Sequence, residues 1–445
     1  MKIILHILCF FSVAVAFAQT ATEEAENQSK IWSLEDCITY AIENNITVKD
    51  ADLDKDISEV NYDKSKSSRL PNLFGSASQN FTNGNSIDPI TSDYVTDQVY
   101  STNLGATSTM TLYQGSQISN QIKQDKLLVD QNSFLVEEAK NNIIISILEN
   151  YLQLLYAKEG ITIAEKNLEA SEKEVLRAKA RLDAGSIALN DYTEAQSQAA
   201  TNKYNVITAK NDYQQYVIDL KQLLELGPED TIEIEDVDDD MALINLEMDK
   251  MNIYYKALNV LPEMNASDLN IEINEKDLDI AKGAYMPTVS LVGTLGSGYT
   301  SISDINFSRQ LDINFNQSVG VSVSIPIFNR NETKAAVKTA EINIEKAQIE
   351  KQSTEKEIYK KVETAYQNAL SAQEQIIAAE ASQEAALQSY NLAKIKYELG
   401  ELSTTDLIIN QNTYTAAQLN YIQAKYLNIL YHQLLQFYQG NDIKL

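Results

Sequence analysis

Between Asn331 and Leu399 the chain has neither glycine nor proline and is rich in Ala, Glu, Lys, Gln and Ile. These residues are tolerated or favoured in helices, and nothing in the stretch supplies a stop. At 1.5 Å of rise per residue the run predicts a helix on the order of 100 Å long. A helix of that length is material for a coiled coil or an α-barrel, not for the interior of a compact globule.

The stretch has a counterpart. Ser116 to Ala184 reads the same way, interrupted only by Gly160, a residue that costs about 1 kcal/mol against Ala inside a helix. Each run ends in a similar motif: RLDAGSIALNDY (Arg181 to Tyr192) aligns without a gap on KYELGELSTTDL (Lys396 to Leu407). Gly105 precedes Gly185 by the same interval that separates Gly320 from Gly400, and Ala41 to Pro71 matches Ala257 to Pro287 one residue out of that register. This is a duplication of one large unit. It divides the chain into repeat one at about 30–228, an acidic segment at 229–245 and repeat two at about 246–440.

Within each repeat the expected order is helix, strand, strand, long helix, helix. Gly185 and Gly400 suit the left-handed residue that ends a helix, so further helices are expected over Ile187 to Leu226 and Leu402 to Gln439, folded back as αα-hairpins. Tyr192, Tyr204, Tyr213, Tyr216, Tyr414, Tyr421 and Tyr431 on these helices read as packing residues. The strands alternate: Val319, Val321, Val323, Ile325 and Ile327 against Gly320, Ser322, Ser324 and Pro326, and Leu104, Ala106, Ser108, Met110 and Leu112 against Gly105 and three threonines. That period of two describes a sheet with one apolar and one polar face. Val289, Leu291 and Leu295 behind Pro287 repeat it, as do Leu73 and Ala77 behind Pro71. Asn83 to Gln98, and Thr300 to about Asp312, read as polar linkers.

Residues 1–18 have the form of a secretory signal peptide, with Lys2, an apolar run from Ile3 to Phe17 and Ala16-Phe17-Ala18 before the cleavage site. Cys37 is then the only mature thiol, and no intrachain disulfide is expected. The net charge of −27 disfavours nucleic acid and anionic membrane surfaces as partners. No nucleophile with its base, no metal constellation and no phosphate cradle is present: His432 reads as a packed or surface histidine, Asp236 to Asp240 lacks the glycine and terminal glutamate of a calcium loop, and Gly293, Gly296 and Gly298 do not open a helix. The expectation is no enzyme and no cofactor.

Four strands per chain cannot close a barrel, and open sheet edges are not tolerated in lipid. Three copies would supply twelve strands of a length that crosses a bilayer. The chain resembles the TolC family of outer-membrane efflux proteins. The resemblance rests on the opening Trp32-Ser33-Leu34-Glu35-Asp36-Cys37, the paired strand starts Leu70-Pro71 and Met286-Pro287, the strand exits Leu112-Tyr113-Gln114-Gly115 and Ile327-Phe328-Asn329-Arg330, and the two glycine tips. It implies an α+β membrane protein, a homotrimer whose twelve-stranded β-barrel continues into a long periplasmic α-barrel. Its place would be the outer membrane of a Gram-negative bacterium. It further implies a passive exit duct of a tripartite efflux pump or type I secretion system, working with a periplasmic adaptor protein and an inner-membrane transporter. The acidic segment would belong to the equatorial girdle.

By the same resemblance, Ala184, Gly185, Ser186, Leu399, Gly400 and Glu401 would contact the adaptor, and Asp406 would line an acidic ring that narrows the closed tip. Ser403-Thr404-Thr405-Asp406 is equally a helix capping box. Tyr397 and Asp191 match positions that lock neighbouring tip helices. The sequence departs from the family at Leu402, where a basic partner is expected, and at Ile409, where a second carboxylate is common, so closure would lean on hydrophobic contact. The alternative reading is a structural or adaptor coiled coil of the periplasm or cell surface, which explains the helices and the acidity but not the duplicated strands.

Overall fold

The computed structural model describes residues 31–87, 92–236 and 249–443. The signal peptide and most of the acidic segment lie outside the described residues. Two helices dominate: α3 (Gln117–Asp183) and α8 (Glu332–Glu398), each 67 residues. Gly160 sits inside α3 without breaking it, because a single glycine penalty is small against the packing of the whole helix. Each long helix folds back on a shorter one, α3 on α4 (Leu189–Leu223) and α8 on α9 (Thr404–Phe437). Shorter helices α1 (Leu34–Asn44), α2 (Ile46–Ser67), α5 (Lys250–Val260) and α6 (Pro262–Gly283) flank the upper halves of α3 and α8.

The main core lies where these elements converge. Ile147, Leu148, Leu154 and Leu155 of α3 pack with Leu220 of α4, Ile253 of α5, Ile358 of α8 and Ile429 of α9. A short parallel pair, β1 (Ile31–Trp32) with β4 (Glu233–Ile234), closes one side. The buried Tyr151 hydroxyl sits between the carbonyls of Trp32 (3.1 Å) and Glu235 (2.9 Å), pinning both strands to α3. The described start of the acidic segment is therefore partly a strand, with Ile234 buried, and Asp236 pairs with Lys158 at 2.6 Å. Of the tyrosine stripe, Tyr213, Tyr216 and Tyr431 pack on this core, and Tyr414 stacks on Tyr390. Tyr204 departs from the expectation and stands exposed.

At the far end from the hairpin turns, four strands form one antiparallel sheet in the order β2 (Phe74–Ile87), β3 (Tyr94–Gln114), β5 (Thr288–Thr300), β6 (Asn316–Ser324). Its registers put Met110 opposite Leu291 and Leu291 opposite Val321, so the apolar residues share a face. The other face carries Thr107, Thr294 and Ser318, the last two hydroxyls 2.7 Å apart. Three boundaries differ from the sequence reading. The Asn83 to Gln98 linker is mostly ladder, because β2 and β3 stay paired from Phe81↔Tyr100 to Ile87↔Tyr94, beyond the last β3 to β5 pair at Ser101↔Thr300. The Thr300 to Asp312 linker contains a short helix, α7 (Phe307–Ile313), capped by Asn306. β6 stops at Ser324, two residues before Pro326, which has no N–H to give a ladder.

Candidate gate at the hairpin tips

Both long helices end in the same way. Gly185 adopts φ +71° and Gly400 φ +79°, a region that an L side chain enters only at a cost. At the first tip Gly185 N donates to Leu182 O (2.8 Å) and Ser186 N to Arg181 O (2.8 Å); at the second Gly400 N donates to Tyr397 O (3.1 Å) and Glu401 N to Lys396 O (2.9 Å). These are paired Schellman ends, which satisfy carbonyls the helix leaves over. Ala184, Gly185, Ser186, Leu399, Gly400 and Glu401 all lie exposed on these turns, with Leu399 at 69%.

The return helices start differently. Ser403 Oγ accepts from Asp406 N (3.1 Å) and donates to the Asp406 carboxylate (2.7 Å), so Asp406 is a working part of the α9 cap. At α4 the corresponding position is Ala188, whose N–H reaches Asp191 (3.2 Å) but which has no side-chain oxygen to return the bond. Ile409 is exposed, one turn beyond Asp406.

Tyr397 is buried at the centre of the tip. Its hydroxyl accepts from Thr404 Oγ1 at 3.5 Å, and the Arg181 guanidinium lies over its ring, 5.0 Å from the centroid. Burial raises the phenol above its usual pKa, so it stays neutral. Among the described residues no hydrogen bond joins Tyr397 to Asp191; the two expected lock residues are held separately, Asp191 on its own helix start and Tyr397 under Arg181.

What does join the two hairpins is a set of residues the sequence did not single out. Arg181 of α3 donates to the carbonyls of Tyr397 (3.5 Å) and Glu398 (3.2 Å) at the end of α8. A cation placed on a helix C-terminus opposes the negative end of the dipole. Arg177 pairs with the Glu398 carboxylate at 3.4 Å. On the return side Thr405 Oγ1 donates to the Glu194 carboxylate (2.9 Å to each oxygen) and Gln198 to Asn412 (3.2 Å). The only hint of this in the sequence is the basic residue that opens each tip motif.

His432 is half-buried on α9, with Nε2 3.4 Å from Gln436 and Nδ1 buried without a partner; burial holds its pKa below the usual value. Cys37 is buried and takes part in no disulfide. Among the described residues no group of His, Cys, Asp or Glu could hold a metal ion, and no helix is long and apolar enough to cross a membrane.

An apolar-faced sheet on one end of two long hairpins, with turn motifs at the other, defines a class of outer-membrane duct protein. The chain belongs to the outer membrane efflux protein family, whose model matches residues 37–225 and 253–434. It is 22% identical over 425 residues to the outer membrane efflux protein BepC of Brucella suis, covering 94% of this chain and 87% of that one. To the outer membrane protein TolC of Salmonella enteritidis it is 21% identical over 442 residues, covering 97% and 84%. Among solved structures, the outer membrane protein VceC of Vibrio cholerae superposes with a TM-score of 0.77 at 15% identity over 92% of this chain and 97% of that one. CusC gives a TM-score of 0.78 at 16% identity, with 92% of each chain covered. The fold is that of the TolC-like channels, and the family is made of channels and not of enzymes.

Proposed function

We propose that three copies of this chain form a passive duct through the outer membrane. Their sheets would join edge to edge into a twelve-stranded barrel, and their hairpins would form an α-barrel that reaches into the periplasm and closes at the six tips. The chain itself would consist of two structural repeats, at about 30–228 and 246–440, around the segment 229–245. The observation that carries this is the sheet: β2 and β6 are its outer strands, and Val319, Val321 and Val323 on β6 are all well exposed. Bare valines are costly in water and unpaired edges are costly in lipid, and closure with copies inside a bilayer relieves both. The competing adaptor or structural coiled coil uses the hairpins but leaves that valine row without a solvent that suits it.

The six exposed turn residues, Ala184 to Ser186 and Leu399 to Glu401, are the surface a periplasmic adaptor would meet, with an inner-membrane transporter behind it. Asp406 caps α9 through one carboxylate oxygen and is exposed, so the other oxygen is open to a ring of three; Tyr397 and Asp191 hold the tips in shape; Ile409 adds apolar closure. Purified protein in detergent should have the mass of a trimer by light scattering and conduct weakly in planar bilayers until the tips open. A monomer that stays soluble without detergent would sink this reading. Deleting Leu104 to Tyr113 should abolish outer-membrane assembly, whereas under the coiled-coil reading localisation would survive.

A further inference from the structure

The clasp between the hairpins is one-sided. Arg181 of the first tip reaches the end of α8, where it supplies a donor to Glu398 O. In the register that aligns the two tip motifs, Arg181 corresponds to Lys396, Leu182 to Tyr397 and Asp183 to Glu398. Lys396 is exposed, and its side chain makes no hydrogen bond or ion pair among the described residues. Asp183 O occupies the same place at the end of α3 as Glu398 O at the end of α8: each is the first carbonyl beyond those that the helix-ending turn uses. No donor within the described residues reaches it. One tip thus carries an unused cation, and the other a helix-end carbonyl with no protein donor beside an exposed carboxylate, which Lys179 of the same helix approaches only to 4.0 Å.

We infer that Lys396 of one copy clasps the end of α3 on the next copy, donating to Asp183 O and pairing with the Asp183 carboxylate, as Arg181 does to α8 within the chain. The inference rests on the trimeric duct. In a ring of six alternating tips, every second junction is internal to a chain and is closed by Arg181; the junctions between are closed by Lys396. The cation and the carboxylate match in sign, and a lysine on a helix C-terminus is favoured for the same reason that the arginine is.

The same register says how the two kinds of junction differ. Where the internal junction has Arg177 and Glu194, the junction between copies has Leu392 and Ile409, both exposed in the single chain. Two polar contacts are replaced by two apolar side chains. The junction between copies is therefore the one with fewer directional bonds, and it is where the closed tip parts first when the duct opens.

Full-length protein carrying Lys396→Cys and Asp183→Cys, treated with a short bismaleimide, should give a covalent ladder ending at the trimer. The control pair Arg181→Cys and Glu398→Cys should cross-link within one chain; Cys37 is buried and does not compete. Lys396→Glu should raise the closed-state conductance in planar bilayers, and Lys396→Arg should leave it low. A protein that is trimeric by light scattering, cross-links within the chain at the control pair and gives no ladder at 396 and 183 would overturn this inference alone. Absence of a trimer by mass would overturn it together with the duct.

Discussion

The two places where a strand hands over to a long helix share one backbone shape and have different surroundings. Gly115 and Ser116 lead into α3 at φ +55° and +62°; Arg330 and Asn331 lead into α8 at φ +56° and +64°. The first junction is closed by its own chain: a Cβ on Gly115 would lie 2.2 Å from Gly283 O, and one on Gly283 would lie 2.5 Å from Gly115 O. The second is open within the chain, and an exposed arginine occupies the left-handed position there. Tyr151 and Tyr366, equivalent on the long helices, differ likewise: the first donates into two strands, whereas the second rests on the core with no hydroxyl partner in the described chain. The lesson is that the first repeat is finished by contacts inside the chain, while the second presents the matching positions outward.

Gly115→Ala or Gly283→Ala sets backbone against Cβ where neither side can yield, and should cost about 3 kcal/mol or more, seen as loss of folded protein on native gels. Arg330→Ala should stay within about 0.5 kcal/mol. Tyr151→Phe removes the donor to Glu235 O, while Trp32 O keeps the Glu235 N–H at 3.0 Å, and should cost about 1 kcal/mol in thermal unfolding, against almost nothing for Tyr366→Phe. A large effect at Tyr366 would mean that a neighbouring copy bonds its hydroxyl. Gly185→Ala and Gly400→Ala meet no atom within 4 Å, so each should cost only the conformational penalty of roughly 1–2 kcal/mol, equal at both tips. Ala188→Ser should complete the missing half of the α4 cap and stabilise the first tip by about 1 kcal/mol, measurable by hydrogen exchange of the first α4 turn.

The smallest effect is in pH. Burial disfavours charge on His432, so its folded pKa lies below the unfolded value. The unfolded chain then binds more protons as the medium is acidified, and stability should fall as pH drops below about 6.5. His432→Val, which copies Val217 from the first repeat, should flatten that part of a stability profile.

Helix ends and long helices were legible because glycine, proline and capping residues act locally: Gly185, Gly400 and the Ser403 box needed no tertiary knowledge. The upper part of the β2–β3 hairpin was not, since a ladder that projects beyond the rest of the sheet has no reason to alternate polar and apolar residues, and Asn, Thr and Ser there look like a loop. The end of β6 is not legible either, because the alternation runs on through Pro326 while pairing ends at Ser324. Arg181, Glu194 and Thr405 were missed for a different reason: a clasp between residues so distant in sequence leaves no periodic mark. Asp406 was legible as both cap and gate candidate, and its cap geometry is formed.

The equal length of α3 and α8 sets a rule for how such a chain can change size. A seven-residue deletion in one helix removes about two turns, or roughly 10 Å, and in the proposed trimer would leave alternate tips of the ring at two heights. The surface proposed to meet an adaptor would then be a crown with three short points. Matched deletions at equivalent positions of both helices, each paired with one in its return helix, should instead shorten the tunnel while keeping the ring level, so that the periplasmic reach of the duct behaves as a single adjustable dimension written twice in the gene.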